Sequence, residues 1–262
     1  MMKSKFLVIA ALLLVVFASC SKDGEKGDAV FSVRLTDSPA EYEEVLIDVQ
    51  EIKINLSSED DEGGWITLSD VNTGVYDLLE LTNGVDTLLA EEMLSAGTIS
   101  QMRLVLGDNN QLKKDGVYHP LDTPSGQQSG LKFNIHATLE PGLTYKIWID
   151  FDAARSIVEK GNGTYSLKPV IRTFTEATSG AIEGNIIPVE SRPYIHAITA
   201  ENDTFSTYAD EETGYFLIRA LPEDVYKIEI NPQEGYEQKV IEDIDVTIGN
   251  VYSLEDVTIN TK

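Results

Sequence analysis

The sequence predicts an all-β protein, two β-sandwich domains in tandem with little helix. Apolar residues recur at a period of two through most of the chain, as in Val45-Leu46-Ile47-Asp48-Val49-Gln50-Glu51-Ile52-Lys53-Ile54-Asn55-Leu56, and that period gives a strand one apolar face. Turn formers separate the runs at short intervals: Asp37-Ser38-Pro39, Glu59 to Gly64, Asn72-Thr73-Gly74, Asn83-Gly84, Asp108-Asn109-Asn110 and Asp115-Gly116. A length of 262 residues, at ~150 per domain, makes about two domains, each able to bury a core without covalent staples.

The first element is an address. A short positive segment ends at Lys5, Phe6 to Ala18 is an uninterrupted apolar run of 13 residues, and Ala18-Ser19-Cys20 follows. That order is a secretory signal, expected over residues 1–19. At ~1.5 Å per residue the run covers about 20 Å, short of the roughly 30 Å hydrocarbon core, so it does not read as a spanning helix. Ala18-Ser19-Cys20, which holds the chain's single Cys, resembles a bacterial lipoprotein lipobox. Phe17 stands where Leu is usual, as in the looser lipoboxes of Bacteroidota-type lipoproteins. The resemblance implies cleavage before Cys20, diacylation of its thiol by fatty chains such as palmitate, and acylation of the new amine. Two or three chains, at ~0.8 kcal/mol per buried methylene, anchor a protein where one chain only visits. Residues 20–28 then form a polar, Gly-containing tether. Its early acidic residues resemble the export tags that send such lipoproteins to the outer face of the outer membrane, which favours the cell surface over the periplasmic face.

The first domain is expected over residues 29–175. Its strands are Val30 to Leu35, Val45 to Leu56, Trp65 to Leu68, Val75 to Leu81, Ile99 to Leu106, Leu131 to Leu139, Thr144 to Phe151 and Tyr165 to Phe174. One helix is expected at Ala153 to Lys160, with Asp152 as its N-cap and Gly161 ending it in a left-handed conformation. Thr87 to Leu94 is open between a short helix and a strand. Small polar residues at Glu176-Ala177-Thr178-Ser179-Gly180 mark a boundary, and residues 176–262 form the second domain.

The second domain runs through Gly180 to Pro188, Tyr194 to Ala200, Thr207 to Ile218, Ala220 to Ile230 and Gly235-Tyr236, followed by a last pair of strands. This order resembles the carboxypeptidase regulatory-like, transthyretin-type β-sandwich. The resemblance implies that Leu221-Pro222 turns a corner, that Tyr226 packs across the sandwich, and that the module is a spacer or recognition unit. Asp224 and Val225 stand where that family has Gly and Thr. The first domain resembles the family known only as domain of unknown function 4382. The resemblance is carried by Leu35-Thr36-Asp37-Ser38-Pro39, Trp65 after an acidic loop, Tyr76-Asp77-Leu78-Leu79, Gly97 with Gln101-Met102-Arg103-Leu104, Ser129-Gly130-Leu131-Lys132, Asp150-Phe151-Asp152-Ala153-Ala154-Arg155-Ser156-Ile157 and Leu167-Lys168-Pro169-Val170-Ile171. It spans residues 30–173 and implies a fold and an envelope location without a reaction.

Charge and composition narrow the partners. Against 20 Lys and Arg stand 44 Asp and Glu, a net charge of −24, which repels a phosphate backbone and excludes nucleic acid as the expected partner. One Cys rules out an internal disulfide framework and a multi-thiolate zinc site. His119, His136 and His196 have no second His or Cys at ligand spacing, no Gly-x-Ser-x-Gly elbow occurs, and Ser125-Gly126-Gln127-Gln128-Ser129-Gly130 reads as a flexible loop. Two carboxylates would serve glycoside hydrolysis, yet with 44 available their presence carries no information.

A few residues stand out as binding candidates. Asp150, Asp152 and Arg155 form a cluster whose ordinary reading is an ion pair locking a strand-to-helix corner. Trp65 and Trp148 fall in strand patterns and read first as core, although Trp65 beside its acidic loop could stack on a sugar. The Glu59 to Gly64 loop and Asp108, Asn109 and Asn110 carry oxygens of the kind calcium takes, without an EF-hand pattern, so no cofactor is assigned. Asp86-Thr87-Leu88 resembles an O-glycosylation sequon of envelope proteins. The expected protein is therefore a non-catalytic, lipid-anchored envelope protein. It touches the membrane through Cys20 and presents loops to a glycan or an envelope protein. A pilus-like or adhesive structural subunit and a polysaccharide-acting enzyme are the competing readings.

Overall fold

A computed structural model of the chain describes residues 27–56, 62–123, 129–175 and 178–262. Cys20 with its leader, Glu59 to Asp61 of the acidic loop, Ser125 to Gln128 and the Glu176-Ala177 boundary lie outside the described residues. The N-terminal part begins with β1 (Asp28–Ser38), β2 (Glu44–Asn55), β3 (Trp65–Thr67), β4 (Gly74–Asp77), β5 (Thr87–Ser95) and β6 (Gly97–Leu106). It continues with β7 (Gln111–Lys114), β8 (Val117–Asp122), β9 (Leu131–Leu139), β10 (Thr144–Asp152), a one-turn helix α1 (Ala153–Ser156), β11 (Ile157–Glu159), β12 (Tyr165–Leu167) and β13 (Ile171–Phe174). The C-terminal part holds β14 (Gly180–Ile187), β15 (Tyr194–Ile198), β16 (Thr204–Tyr208), β17 (Tyr215–Leu221), β18 (Asp224–Asn231), β19 (Lys239–Val246) and β20 (Val251–Thr258).

These strands make two sandwiches. In the first, a small sheet in the order β13-β10-β1-β5 lies against a large one in the order β11-β12-β8-β7-β2-β6-β9, with β3 and β4 also on β2. In the second, β17-β14-β20 faces β16-β15-β18-β19. Period-two alternation fills both cores. Phe31, Val33 and Leu35 of β1 meet Ile47, Ile52 and Ile54 of β2, and Ile182, Phe216 and Val257 meet Ile195, Tyr226 and Ile228. At ~25 cal/mol per Å² of apolar surface, each such side chain contributes about 1.5–3 kcal/mol. The chain is all-β, as the alternation predicts.

Several local expectations change. The helix stops at Ser156 because Ile157–Glu159 pairs with β12, and Ser156 itself turns back to bind Val170 N (2.8 Å) and Lys168 N (2.7 Å). β-branched Ile157 and Val158 suit that strand better than a second helical turn. Asp152 does cap the helix, accepting from Arg155 N at 2.9 Å, whereas the left-handed glycine nearby is Gly163 (φ +77°), not Gly161. Thr87 to Leu94 is strand. Val75 to Leu81 is strand only to Asp77, whose carboxylate then caps the 3-10 turn Leu78–Leu81. Tyr165 to Phe174 breaks at Lys168-Pro169-Val170, sending β12 to the large sheet and β13 to the small one. The Asp115-Gly116 turn, with φ of +51° and +75°, closes the hairpin β7–β8 that alternation did not reveal.

β10 carries the feature that builds the site. From Ile147 onward it is buried on both faces. Ile149 and Phe151 point into the first core, while Trp148, Asp150 and Asp152 point the other way, and Trp148 packs on Phe174 and on Ala220 of the second sandwich. The central pair β1–β10 is parallel, a pairing that occurs where both faces of a sheet are covered.

Candidate functional site

The seam between the sandwiches is polar and specific. Asp86, after the Asn83-Gly84 turn, accepts from Arg34 and from Trp148 Nε1 (2.9 Å) in its own sandwich and from Arg219 Nη1 (3.1 Å) of β17 in the other. Burial alone would raise the Asp86 carboxyl, but the hydrogen bonds from Trp148, Arg34 and Arg219 outweigh it and hold it below the usual carboxylate range. Asn83 works like a strand residue: its Nδ2 donates to Tyr215 O (2.9 Å) and its Oδ1 accepts from Leu217 N (2.6 Å). Asn83 and Gly84 take φ of +55° and +83°, which allows this turn to lie against β17.

Deeper in the seam, Arg172 Nη2 donates to Asp150 Oδ2 (2.5 Å) and Ser38 Oγ (3.1 Å), and its guanidinium lies 4.6 Å from the Phe205 ring centre. Asp37 sits beside this pair, with Oδ1 accepting from Ala153 N (3.0 Å) and Oδ2 left without a partner. Burial and the charge of Asp150 push the Asp37 carboxyl well above its ordinary value, against the hydrogen bond from Ala153. Burial likewise raises Asp150, opposed by Arg172. Asp37, Asp150 and Arg172 line a cavity of about 30 Å³, room for a water or two and nothing larger.

Above that cavity the seam opens into a cleft. Three pockets of about 400, 440 and 690 Å³ adjoin there, with Pro39, Ala154 and Tyr194 lining both of the first two and Tyr208 lining both of the last two. Such volumes fall in the ~300–1,000 Å³ range of ligand sites. The first sandwich supplies the β1–β2 loop with Tyr42, the helix α1 with Arg155, and the turn from Leu79 to Val85. The second supplies the outward face of β15 and β16. Alternation turns Ile195, Ala197, Phe205 and Thr207 into the core and leaves Tyr194, His196, Ser206 and Tyr208 on the open side. Register sets Tyr194 opposite Tyr208 and His196 opposite Ser206. The rings form a cluster, Tyr208 to Tyr194 at 4.6 Å and Tyr194 to His196 at 4.4 Å between centroids. His196 Nδ1 lies 2.8 Å from Ser206 Oγ, and burial lowers the imidazole's pKa, so it is neutral at pH 7.

The residues singled out in the sequence divide into three places. Asp152 and Arg155 line the cleft, and Asp150 lies under it. The expected Asp150–Asp152–Arg155 ion-pair lock is corrected: Arg172 of β13 holds Asp150, while Arg155 reaches only Asp152, at 3.8 Å, and is largely exposed. Trp65 lies on the large sheet, half-buried, with the Arg103 guanidinium 4.0 Å from the ring and Lys132 Nζ 5.9 Å away. Trp148 is core, as expected.

Asp108 is exposed, but its neighbours are structural. Asn110 is buried, accepts from Asp48 N (2.9 Å) and donates to Gly107 O (2.7 Å) and Thr123 Oγ1 (3.0 Å), while Asn109 Nδ2 donates to Asp48 Oδ2 (2.9 Å). Those carboxamides are spent on the fold rather than turned out as an open ligand set. Among the described residues no group of three His, Cys, Asp or Glu side chains is placed to hold a metal ion. Thr87 is half-buried at the start of β5. Sequence reasoning missed Tyr42, Tyr194 and Tyr208. Alternation places the last two on an outward strand face, but nothing local says that the other sandwich stands over that face.

Comparison with solved structures gives distant alignments. The Bacillus anthracis TIE protein is 11% identical and aligns over 89% of this chain and 34% of its own, with a TM-score of 0.25. The shaft pilin spaA from Lactobacillus rhamnosus GG is 9% identical over 90% of this chain and 98% of its own, with a TM-score of 0.24. BcpA, the major pilin subunit of Bacillus cereus, is 13% identical over 90% and 71%, with a TM-score of 0.26. The chain spans about a third of the TIE protein and about a quarter of a leucine-rich repeat protein from Bacteroides thetaiotaomicron VPI-5482, which it matches at 13% identity and a TM-score of 0.20. TM-scores this low leave the function to be read from the chain's own sheets and cleft. No curated protein matches. The model of one family, described as a domain of unknown function (DUF4382), matches residues 28–169, more than half of the sequence, and the chain belongs to that family.

Proposed function

We propose that this is a lipid-anchored envelope protein of the cell surface, without catalysis of its own, which holds a binding cleft for a glycan or a protein away from the membrane. The observation that carries the reading is the cleft itself: three adjoining pockets whose walls come from both sandwiches, with Tyr194 and Tyr208 at their junctions. A groove fixed by a polar seam is organised before its ligand arrives, and it loses little entropy on binding. The raised carboxyls, Asp37 and Asp150, border a cavity too small for a substrate rather than the open groove, which supports binding over hydrolysis.

The second sandwich acts as a carboxypeptidase regulatory-like recognition module. Its Tyr226 is buried across the core with Oη donating to Pro222 O at 2.9 Å, a corner lock of the kind β-sandwiches use. Lipid on Cys20 supplies the anchor, and the polar tether supplies reach.

Cells displaying the full chain test this reading by their adherence to immobilised polysaccharides and surface proteins. The wild type is expected to adhere and the Tyr194→Ala/Tyr208→Ala double variant, displayed at equal density, to lose adherence. Equal adherence of the two removes the cleft from the function, and shortening of an offered polysaccharide by the purified chain replaces binding with catalysis.

A further inference from the structure

The cleft also carries information about its ligand class, and this inference rests on the cleft being the binding surface. We infer that it takes a neutral glycan, an uncharged pyranose seated against the aromatic cluster of Tyr208, Tyr194 and His196.

Three observations lead there. The first is the floor: Tyr208 and Tyr194 lie 4.6 Å apart at 34°, and Tyr194 meets His196 at 4.4 Å and 78°, so the three rings form a bent aromatic cluster, and burial lowers the imidazole's pKa and favours its neutral form. A pyranose has one face of C–H groups, and it desolvates well against an aromatic ring, whose face is electron-rich, while its hydroxyls stay at the edge.

The second is the wall chemistry. Around the cluster stand Ser38, Asn202, Thr204 and Ser206 at one end and Thr82 and Thr213 at the other. Most of these hydroxyls already donate within the fold, Ser38 to Asp150, Thr204 to Asn202 O, Thr82 to Leu79 O and Thr213 to Asp210, and Ser206 is paired with His196, so what they keep for a ligand is acceptor capacity, which suits the hydroxyl donors of a sugar.

The third is charge. Each of the four cations of the cleft has a carboxylate nearby: Arg172 is held by Asp150 at 2.5 Å, and the more exposed Arg192, Lys114 and Arg155 lie 3.3, 3.7 and 3.8 Å from Glu211, Glu159 and Asp152. Glu41, Glu80 and Asp203 add acid to the rim without a cation of their own in the cleft. A sulfated or uronic-acid polymer would meet net repulsion here, on a chain that carries −24 overall. A basic peptide would also be drawn by this acidic rim, and oligolysine in the test below separates it from a sugar.

The test is titration of the purified full-length chain in detergent with four neutral hexasaccharides (of cellulose, starch, xylan and mannan), with heparin and with oligolysine, by calorimetry. At least one neutral hexasaccharide is expected to bind. Tyr208→Ala should weaken it by about tenfold or more and Tyr208→Phe by less than about threefold, since the ring and not its hydroxyl makes the platform. Affinity should change little between about 50 and 500 mM NaCl, because no charge pair forms. If heparin or oligolysine binds in a Tyr208-dependent, salt-sensitive way and no neutral hexasaccharide does, the sugar inference is overturned while the cleft stands. If nothing binds in a Tyr208-dependent way, both are overturned.

Discussion

Asp86 is the residue on which the relation of the two sandwiches turns. One carboxylate takes three donors, two from its own sandwich and Arg219 from the other. Replacing it with alanine leaves the Trp148 indole and two guanidinium groups without their acceptor. Arg34 and Arg219 keep 29% and 33% of their side-chain surface in water, so the expected loss is about 2–3 kcal/mol, below the ~3–5 of a fully buried pair. Calorimetry of Asp86→Ala is expected to split one cooperative transition into two. A single unshifted transition would show that the seam holds without it. Because the Asp86 pKa is lowered, its contribution is fully present above the ordinary value of 3.8 and disappears as pH falls through the folded value.

Asp37 has the opposite sign. Its pKa is raised in the fold, so the native state binds a proton that the unfolded chain has released, and stability falls as pH rises above 3.8. Asp37→Asn keeps an acceptor for Ala153 N and has no carboxylate to ionise beside Asp150. Its melting temperature is expected to match the wild type near pH 4 and to exceed it by a gap that widens as pH rises and levels off once the pH has passed the folded pKa of Asp37. A constant difference at every pH would mean that Asp37 does not titrate in the fold.

At the scale of elements, what the sequence displays depends on how local the cause is. Strands with one wet face are legible by alternation, as β2 and β9 are, and so is the Asp152 cap, which needs only its own first turn. Elements decided by a distant partner are not. α1 is cut short because Ile157–Glu159 pairs with β12, and the run from Tyr165 to Phe174 is divided between two sheets. β10 reads as an alternating strand, yet its second face is buried by a sandwich whose first strand begins at Gly180. The same limit explains the site. Asp152 and Arg155 could be picked out because they adjoin a helix start, whereas Tyr194 and Tyr208 are unremarked strand tyrosines until the fold sets the β1–β2 loop and α1 beside them.

Tyr226 tests the element scale within the second sandwich. Tyr226→Phe keeps the packing against Phe205 and loses the Oη–Pro222 hydrogen bond, an expected cost of about 1 kcal/mol in chemical denaturation with an unchanged m-value. A change under ~0.3 kcal/mol would mean that the corner is held by packing alone.

For the whole molecule, the proposal joins an anchor, a tether and a two-walled cleft. Cys20→Ala is expected to abolish incorporation of labelled palmitate and to move the chain from the membrane to the soluble fraction; retained label would remove the anchor from the account. Strong net acidity keeps such a chain soluble and off anionic surfaces, which leaves recognition to a defined patch. The measurement that reaches the central claim most directly is amide hydrogen exchange of the full-length chain with and without its bound partner. The account predicts slowed exchange on both walls together, in Tyr194–Ile198 and Thr204–Tyr208 and in the loop from Pro39 to Glu43. Protection confined to Trp65 with its neighbouring strands or to Asp108–Asn110, with both cleft walls unchanged, would contradict it.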